Sequence, residues 1–397
     1  MKKICLAFLS SLTILIAVAC SNSYQNISND SAITSNSPTN NVSPSFAPEP
    51  ISPQKYDPIE YIDINTVTKW NEFAESYNNE RYKYSEYITI EITDVLDFSD
   101  MEFTPLLDGF SGKIIGQYIL SETERLEWIK SRKKWPQDCS GTFINISRFS
   151  EPYSKTARSM FGNTKTLEIE NVGFANIYLN NANCLVTENT ENLKTKNVSV
   201  GNCLLPNGKA IISVNAGKIS IENFIAESCF LTGYEYMAGL VTFVEGDAKF
   251  NDVFMCRCSL ILSPDNGGSG LWGAGIGVLA KSIIGEASFE NIDIYACTTT
   301  SLYTDALVGS VGSLGMCRTI SLEFCSFINY TPMSADFNSG LITSVGDTRF
   351  MKTPIIEENV LIKDCIIGGE YDSKDFISRG YNIENCIFVS SKENLQH

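Results

Sequence analysis

Histidine is nearly absent: the chain has one, His397, among 397 residues. No Ser-His-Asp or Cys-His catalytic set can be assembled from it. Zinc ligation lacks donors too, since no Cys-x-x-Cys pair occurs and Cys256-x-Cys258 is the nearest approach. Bases are also scarce, with 30 Lys and Arg against 46 Asp and Glu and a formal net charge of −16. That balance argues against nucleic acid as a partner, because phosphate binding needs clustered bases. It argues equally against unassisted binding of strongly anionic polymers. Gly267-Gly268-Ser269-Gly270 is followed by Leu271 rather than Lys-Ser/Thr, so it is not a phosphate loop. No Asp-x-Asp-x-Asp-Gly loop for Ca²⁺ occurs. The expectation is a chain with no metal and no cofactor.

Long apolar runs are missing after Ala19. Before it, Met1-Lys2-Lys3 and the apolar stretch Ile4 to Ala19 read as a secretory signal, too short for a spanning helix. Ala17-Val18-Ala19-Cys20 resembles the bacterial lipobox. The resemblance implies cleavage before Cys20 and a diacylglyceryl group on its sulfur; the other reading is an ordinary signal with a chance cysteine. Loss of Lys2 and Lys3 with the leader takes the formal charge from −16 to −18. Residues 20–55 are Ser, Asn, Thr and Pro with almost no charge, and read as a disordered tether. Its flexible reach is about 30–35 Å.

What the chain does have is a repeat built on cysteine. An apolar or aromatic residue is followed five places on by Cys and two places later by a residue that is usually apolar. The pattern fits Val198…Cys203…Leu205, Phe224…Cys229…Leu231, Val253…Cys258…Leu260 and Ile292…Cys297…Thr299. It continues at Ile320…Cys325…Phe327, Val360…Cys365…Ile367 and Tyr381…Cys386…Phe388, with Leu179…Cys184…Val186 as a looser copy. Eight cysteines at one repeat position, flanked by apolar residues, read as buried thiols stacked coil on coil. The other reading is a few disulfides among stacked neighbours. Cys256 reads as the outward neighbour of Cys258.

A second pattern alternates with the first: a small residue, two apolar residues, then Gly. It runs Ala210…Gly217, Gly239…Gly246, Gly277…Gly285, Ala306…Gly312 and Gly340…Gly346. The Gly is expected to supply a positive-φ corner. Short strands at this period, without helices between them, predict an all-β parallel β-solenoid, a β-helix that fold analogy makes right-handed. Residues 159–390 carry the repeats and 391–397 a polar tail. Residues 56–158 read as an N-terminal cap with the first atypical coils. Within them Val67, Trp70, Phe73, Ala74 and Tyr77 predict a short helix over 66–78, followed by a strand over 87–92. Ser121-Glu122-Thr123-Glu124 is a capping box that opens a helix to about Lys134. Leu126, Trp128 and Ile129 form its apolar side, and Lys130, Arg132, Lys133 and Lys134 its basic end. That end is either a solvated helix terminus or a contact to a phosphate headgroup or acidic glycan.

Gly239-Leu240-Val241…Gly246…Phe250-Asn251-Asp252-Val253…Cys258 and Ser339-Gly340-Leu341-Ile342…Gly346 resemble the GLUG-motif proteins of bacterial surfaces. The segment from Asp97-Phe98 to Gly116 is similar to the stretch that often precedes that motif. The resemblance implies a surface-exposed β-solenoid with adhesive or binding roles, and no catalytic residues come with it.

Insertions mark one corner for attention. From the residue two past Cys to the next small residue the chain takes 5, 8, 17, 7 and 13 steps, against 7, 7, 8, 6 and 6 from the small residue to Gly. Insertions in a repeat protein map to loops on one face, often the binding face. The variable corner carries Tyr234, Tyr236, Trp272, Tyr303, Tyr330 and Phe337, with Glu235, Asp265, Asp305 and Asp336. Aromatic rings along such an edge stack on sugars or anchor a protein; the other reading is that they fold back over the core. Met351 to Asn359 is an insertion at a different corner.

The column two places before Cys reads Ala182, Gly201, Glu227, Cys256, Tyr295, Glu323, Lys363, Glu384. It holds no adjacent acids for the two-carboxylate chemistry of a glycosidase, and the outward strand face reads as a mixed, solvated surface. The sequence therefore predicts a monomeric, non-catalytic, adhesin-like surface protein. A lipid at Cys20 would hold it to a membrane at the cell envelope, outside the cytoplasm. Its ligand would be a glycan or a protein of the host or cell surface. A polysaccharide lyase or glycoside hydrolase of the β-helix type and a passive structural protein are the alternatives.

Overall fold

A computed structural model describes residues 60–80, 87–117, 141–233, 236–262, 275–301, 304–305, 308–323, 325–329, 342–345, 358–368 and 382–389. All lie in one compact unit, Tyr56–His397. The signal peptide, Cys20, the tether, the 121–134 segment and the polar tail lie outside the described residues.

The chain is a parallel β-solenoid. One coil, residues 213–233, shows the plan. Face A is Ser213–Ala216, followed by the corner at Gly217 and face B over Lys218–Glu222. Asn223 turns the chain into face C, Phe224–Glu227, and Ser228 turns it again into Cys229 and face D, Phe230–Gly233. Each face stacks in parallel register on its counterparts, so the hydrogen bonds run between coils. On face C, Val198 pairs with Phe224, Phe224 with Val253, Val253 with Ile292, Ile292 with Ile320 and Ile320 with Val360. Alternate side chains point inward, and identical columns merge into a single core. Phe143 stacks on Phe174 at 5.5 Å, and Phe250 on Phe289 at 5.4 Å.

The corners on either side of face C are made by left-handed residues, mostly asparagine. Before face C these are Asn171, Asn197, Asn223, Asp252, Asn291 and Thr319, with φ between 51° and 57°. After it come Asn145, Asn176, Asn202, Ser228, Arg257, Ala296, Asp364 and Asn385. Asn tolerates this backbone region better than other non-glycine residues. Its amide also donates and accepts, so stacked copies form ladders. Asn223 Nδ2 donates to Asn197 Oδ1 at 2.5 Å, and Asn197 Nδ2 to Asn171 Oδ1 at 2.8 Å. On the other corner, Asn202 donates to Asn176 at 2.7 Å and Asn176 to Asn145 at 3.2 Å. Asn145 in turn donates to Asp97 at 2.8 Å.

Glycine plays a different part from the one expected. Gly217, Gly246, Gly285 and Gly312 do not adopt a positive φ. A Cβ on Gly217 would sit 2.4 Å from the Glu191 carbonyl oxygen of the coil before, and one on Gly246 2.7 Å from that of Gly217. The small residue is needed because stacked backbones approach closely at this corner.

Cys184 does not belong to the column. Ile177 pairs with Cys203, whereas Cys184 bridges Ala210, the small residue that opens the next coil. The five-then-two spacing at Leu179…Cys184…Val186 is a coincidence, since Cys184 precedes Cys203 by less than a full coil. The column therefore runs Ile177, Cys203, Cys229, Cys258, Cys297, Cys325, Cys365, Cys386.

The boundary expected at 158/159, between the cap with its first atypical coils and the regular repeats, does not interrupt the stacking. Glu60–Ile64, Ile88–Ile92 and Gly112–Gly116 are face B strands, and the last pairs in parallel with Leu167–Glu170 of the next coil. The cap is the helix α1, Val67–Asn79, inserted between the first two of these strands. Thr66 caps it, its side chain accepting from Lys69 N at 3.2 Å. Trp70, Phe73, Ala74 and Tyr77 are buried, and Trp70 Nε1 donates to Thr104 O at 3.0 Å. Asn71 and Asn78 bind the backbone of Glu102 and Pro105. The helix thus covers apolar core that the first coils would otherwise leave open.

Candidate functional site

Register shows where the coil length changes. Gly233 pairs with Leu262, but Tyr236, three residues on, pairs with Gly275, thirteen residues on. Ten extra residues enter there, between face D and the next face A. The corners on both sides of face C hold one offset: Asn251 pairs with Glu222, Val253 with Phe224 and Cys256 with Glu227. Between coils, the ladder that runs from Cys256 to Ser259 keeps that offset as well, since Ser259 pairs with Phe230.

The variable corner has a base of its own. Tyr236–Ala238, Gly275–Gly277 and Thr304–Asp305 form a three-stranded parallel sheet. Met237 and Ile276 are fully buried and close the core beneath it. Tyr236 is half-buried, and its ring meets Phe243 edge-on at 5.2 Å and 73°. This ring folds back onto the solenoid. The backbone of Asp305 stands in register with Gly277. Tyr234, Trp272, Tyr303, Tyr330, Phe337, Asp265 and Asp336 lie outside the described residues, as does Glu235.

The cysteine column is interior. Cys203, Cys229, Cys258, Cys297, Cys325 and Cys365 are buried and Cys386 is partly so; none of the seven is in a disulfide. Five of the thiols, Cys229, Cys258, Cys325, Cys365 and Cys386, lie near a backbone carbonyl of the preceding coil. Cys229 Sγ is 3.7 Å from Val200 O, Cys258 Sγ 3.6 Å from Ala226 O and Cys365 Sγ 3.4 Å from Leu322 O. These are weak S–H donors satisfied inside a core. The hydrogen bond with Cys203, then burial, raises the Cys229 thiol well above its ordinary range. Interaction with Cys325, then burial, pushes Cys365 up to about 12. Thiolate is the reactive form, so these side chains are chemically quiet. Ile146 and Ile177 fill the same place in earlier coils, as expected for a packing position.

In the coils up to Cys256 the outward side of face C is not the solvated surface expected, whereas Asp293, Tyr295, Ser321 and Glu323 in later coils are only half-buried. Ile225, Phe254 and Cys256 point away from the core and are buried. Glu227, in the same column as Cys256, is the single buried charged residue among the described ones. It pairs with Arg257 of the next coil, and its Oε2 has no hydrogen-bond partner. Its column neighbours are Gly201 and Cys256.

Reasoning from sequence missed the asparagine ladders and this buried outer stripe. The ladders had a signal, because Asn or Asp recurs one residue before the apolar start of the pattern. Compared with known proteins, the chain matches no family model, no curated protein and no solved structure.

Proposed function

We propose that this chain is a binding protein displayed on a cell envelope, anchored by a lipid at Cys20, that engages a glycan or a protein through the variable corner. One observation carries the reading. The ten residues added between Gly233 and Tyr236 on one coil and their partners on the next enter at a corner floored by its own parallel sheet. Loops that vary on a fixed scaffold are where repeat proteins place recognition. The aromatic residues of the corner support the same reading, as does the likeness to GLUG-motif surface proteins.

The test is a Trp272→Ala/Tyr303→Ala double variant of the secreted chain, compared with the unaltered chain on an array of glycans and matrix proteins. The unaltered chain is expected to bind, and the variant to lose binding while its column cysteines stay protected from alkylation. Binding that survives the double change would place the ligand elsewhere. Product release from a polysaccharide panel, lost on Asp305→Asn, would replace the binding reading with an enzymatic one.

A further inference from the structure

A stripe of buried apolar side chains lies outside the solenoid's core. Ile144 (7% exposed), Ala175 (1%), Ile225 (3%), Phe254 (1%) and Cys256 (0%) are buried, yet none belongs to the cluster that fills the coil. Their neighbours Phe143, Phe174, Phe224, Ala226, Val253 and Met255 do belong to it. Alternation along a strand therefore sends the stripe to the outer side of face C. Thr142, Gly173 and Ser199 lie on the same side, and all are buried. The burial ends with distance from the N-terminal coils: Asp293, Tyr295, Ser321 and Glu323, at the same outer positions, are only half-buried.

We propose that this outer face is a docking surface for residues 118–140 of the same chain, laid as an amphipathic helix across five coils. The segment leaves the described chain at Gln117 and re-enters at Gly141. Both ends sit together at the corner leading into face C: a Cβ on Gly116 would be 3.0 Å from Gly141 O and 2.0 Å from Asn171 O. The loop is thus rooted beside the first rows of the stripe. Its length fits. The expected helix, residues 121–134, would be about 21 Å long. The rows from Thr142–Ile144 to Phe254–Cys256 span four strand spacings, about 19 Å. Residues 135–140, extended, reach about 20 Å, enough to return to Gly141.

Chemistry fits as well. Leu126, Trp128 and Ile129 form the apolar side, which small residues on the first rows, Gly173, Ala175 and Gly201, would admit closely. A helix running away from Gly116 carries Lys130, Arg132, Lys133 and Lys134 to the far rows. There Asp252, Glu227 and Asp293 stand on or beside the same face. Phe254, Cys256, Asp252, Asp293 and Tyr295 each have a polar, ring or electrostatic partner. Residues 20–55 are poor candidates for the cover because they are mostly Ser, Asn, Thr and Pro.

Cys256 is a reporter already in place. The experiment is maleimide labelling of the full chain, read peptide by peptide by mass spectrometry, with Cys229 as the internal control for an intact coil. In the unaltered protein both thiols are expected to be protected, independently of protein concentration. Replacing residues 119–139 by a short Gly/Ser linker should speed Cys256 labelling about 100-fold while Cys229 stays slow, as when a site passes from opening-limited to surface reaction. A Trp128→Asp/Ile129→Asp variant should do the same without shortening the chain. If the linker variant also releases Cys229, the coil has opened and the point variant decides. Fast labelling of Cys256 in the unaltered protein overturns the proposal, because nothing then covers the face. Protection of Cys256 that persists in the point variant overturns it too. Protection lost on dilution would assign the cover to a second copy, and protection lost on deleting residues 21–55 would assign it to the tether.

Discussion

Faces B and C of the same coils are built on one alternation, yet their outer sides differ. Outside face B, charges of opposite sign stack between coils. Lys194 meets Glu168 at 3.0 Å and Lys196 meets Glu222 at 3.2 Å, all partly exposed. Lys113 pairs with Glu170 and Arg318 with Glu290 on the same face. In-register stacking of like charges would repel, so alternating signs favour this register. Outside face C the stripe is apolar and buried. The coil therefore has one core inside and the makings of a second, thinner one on a single outer side. Stacked coils set the geometry of both faces, and only what lies over them separates their chemistry.

That contrast is broken most severely by placing charge on each face in turn. Phe254→Asp puts an unpaired carboxylate on a buried site and should cost about 3–5 kcal/mol. Lys196→Glu sets a third acid in line between Glu170 and Glu222, but in solvent, and should cost about 0.5–1 kcal/mol at low salt. Urea midpoints of the two variants measure the gap. Equal midpoints would mean the outer side of face C is as wet as face B. The effect of Lys196→Glu should also shrink in high salt, and that of Phe254→Asp should not.

The next test concerns the corners that separate the two faces. Asn223 has φ 51° and donates to Asn197. Asn223→Ala loses the amide ladder and leaves a Cβ in the left-handed region without the short polar side chain that lets Asn adopt it, a region that costs an ordinary L-residue about 1–2 kcal/mol. Asn223→Gly loses the same ladder contacts but adopts that φ freely. The Ala variant should therefore be the less stable of the two by denaturation midpoint. Equal destabilisation would assign the whole effect to the ladder and none to the backbone.

Much of this architecture is legible in the sequence, and the exceptions have physical causes. The phase of the cysteine column can be read because both corners of face C hold one offset from coil to coil, so no insertion disturbs the five-then-two spacing. Cys184 satisfies the spacing locally and fails globally, since only pairing partners reveal that Ile177 holds its place. The outer stripe is illegible for a different reason. Alternation reports which residues share a side, never what covers that side, and Ile225 or Phe254 on an outer column looks no different from a scattered surface apolar residue. The glycine corners mislead because close backbone approach and positive φ select the same residue. At the variable corner the loops differ in length, so Trp272, Tyr303 and Asp336 share no register that would fix their geometry from sequence.

The smallest expected effect belongs to the head of the second asparagine ladder. Asp97 accepts from Ser99 N at 2.9 Å and from Asn145 Nδ2 at 2.8 Å, and Asn145 passes the ladder on to Asn176 and Asn202. Burial acts to raise the Asp97 carboxyl, but the hydrogen bonds from Ser99 and Asn145 outweigh it and hold it below its ordinary 3.8. A carboxyl whose folded value is depressed contributes stability above its unfolded value and loses it as pH falls through the folded one. Asp97 is exposed, so the contribution is modest. The stability difference between the unaltered chain and Asp97→Asn should thus be flat above about pH 5 and shrink as pH drops below 3.8. All other charged groups are common to both proteins and cancel in the difference. A difference that grows on acidification would mean the carboxylate is strained at the head of the ladder, not held by it.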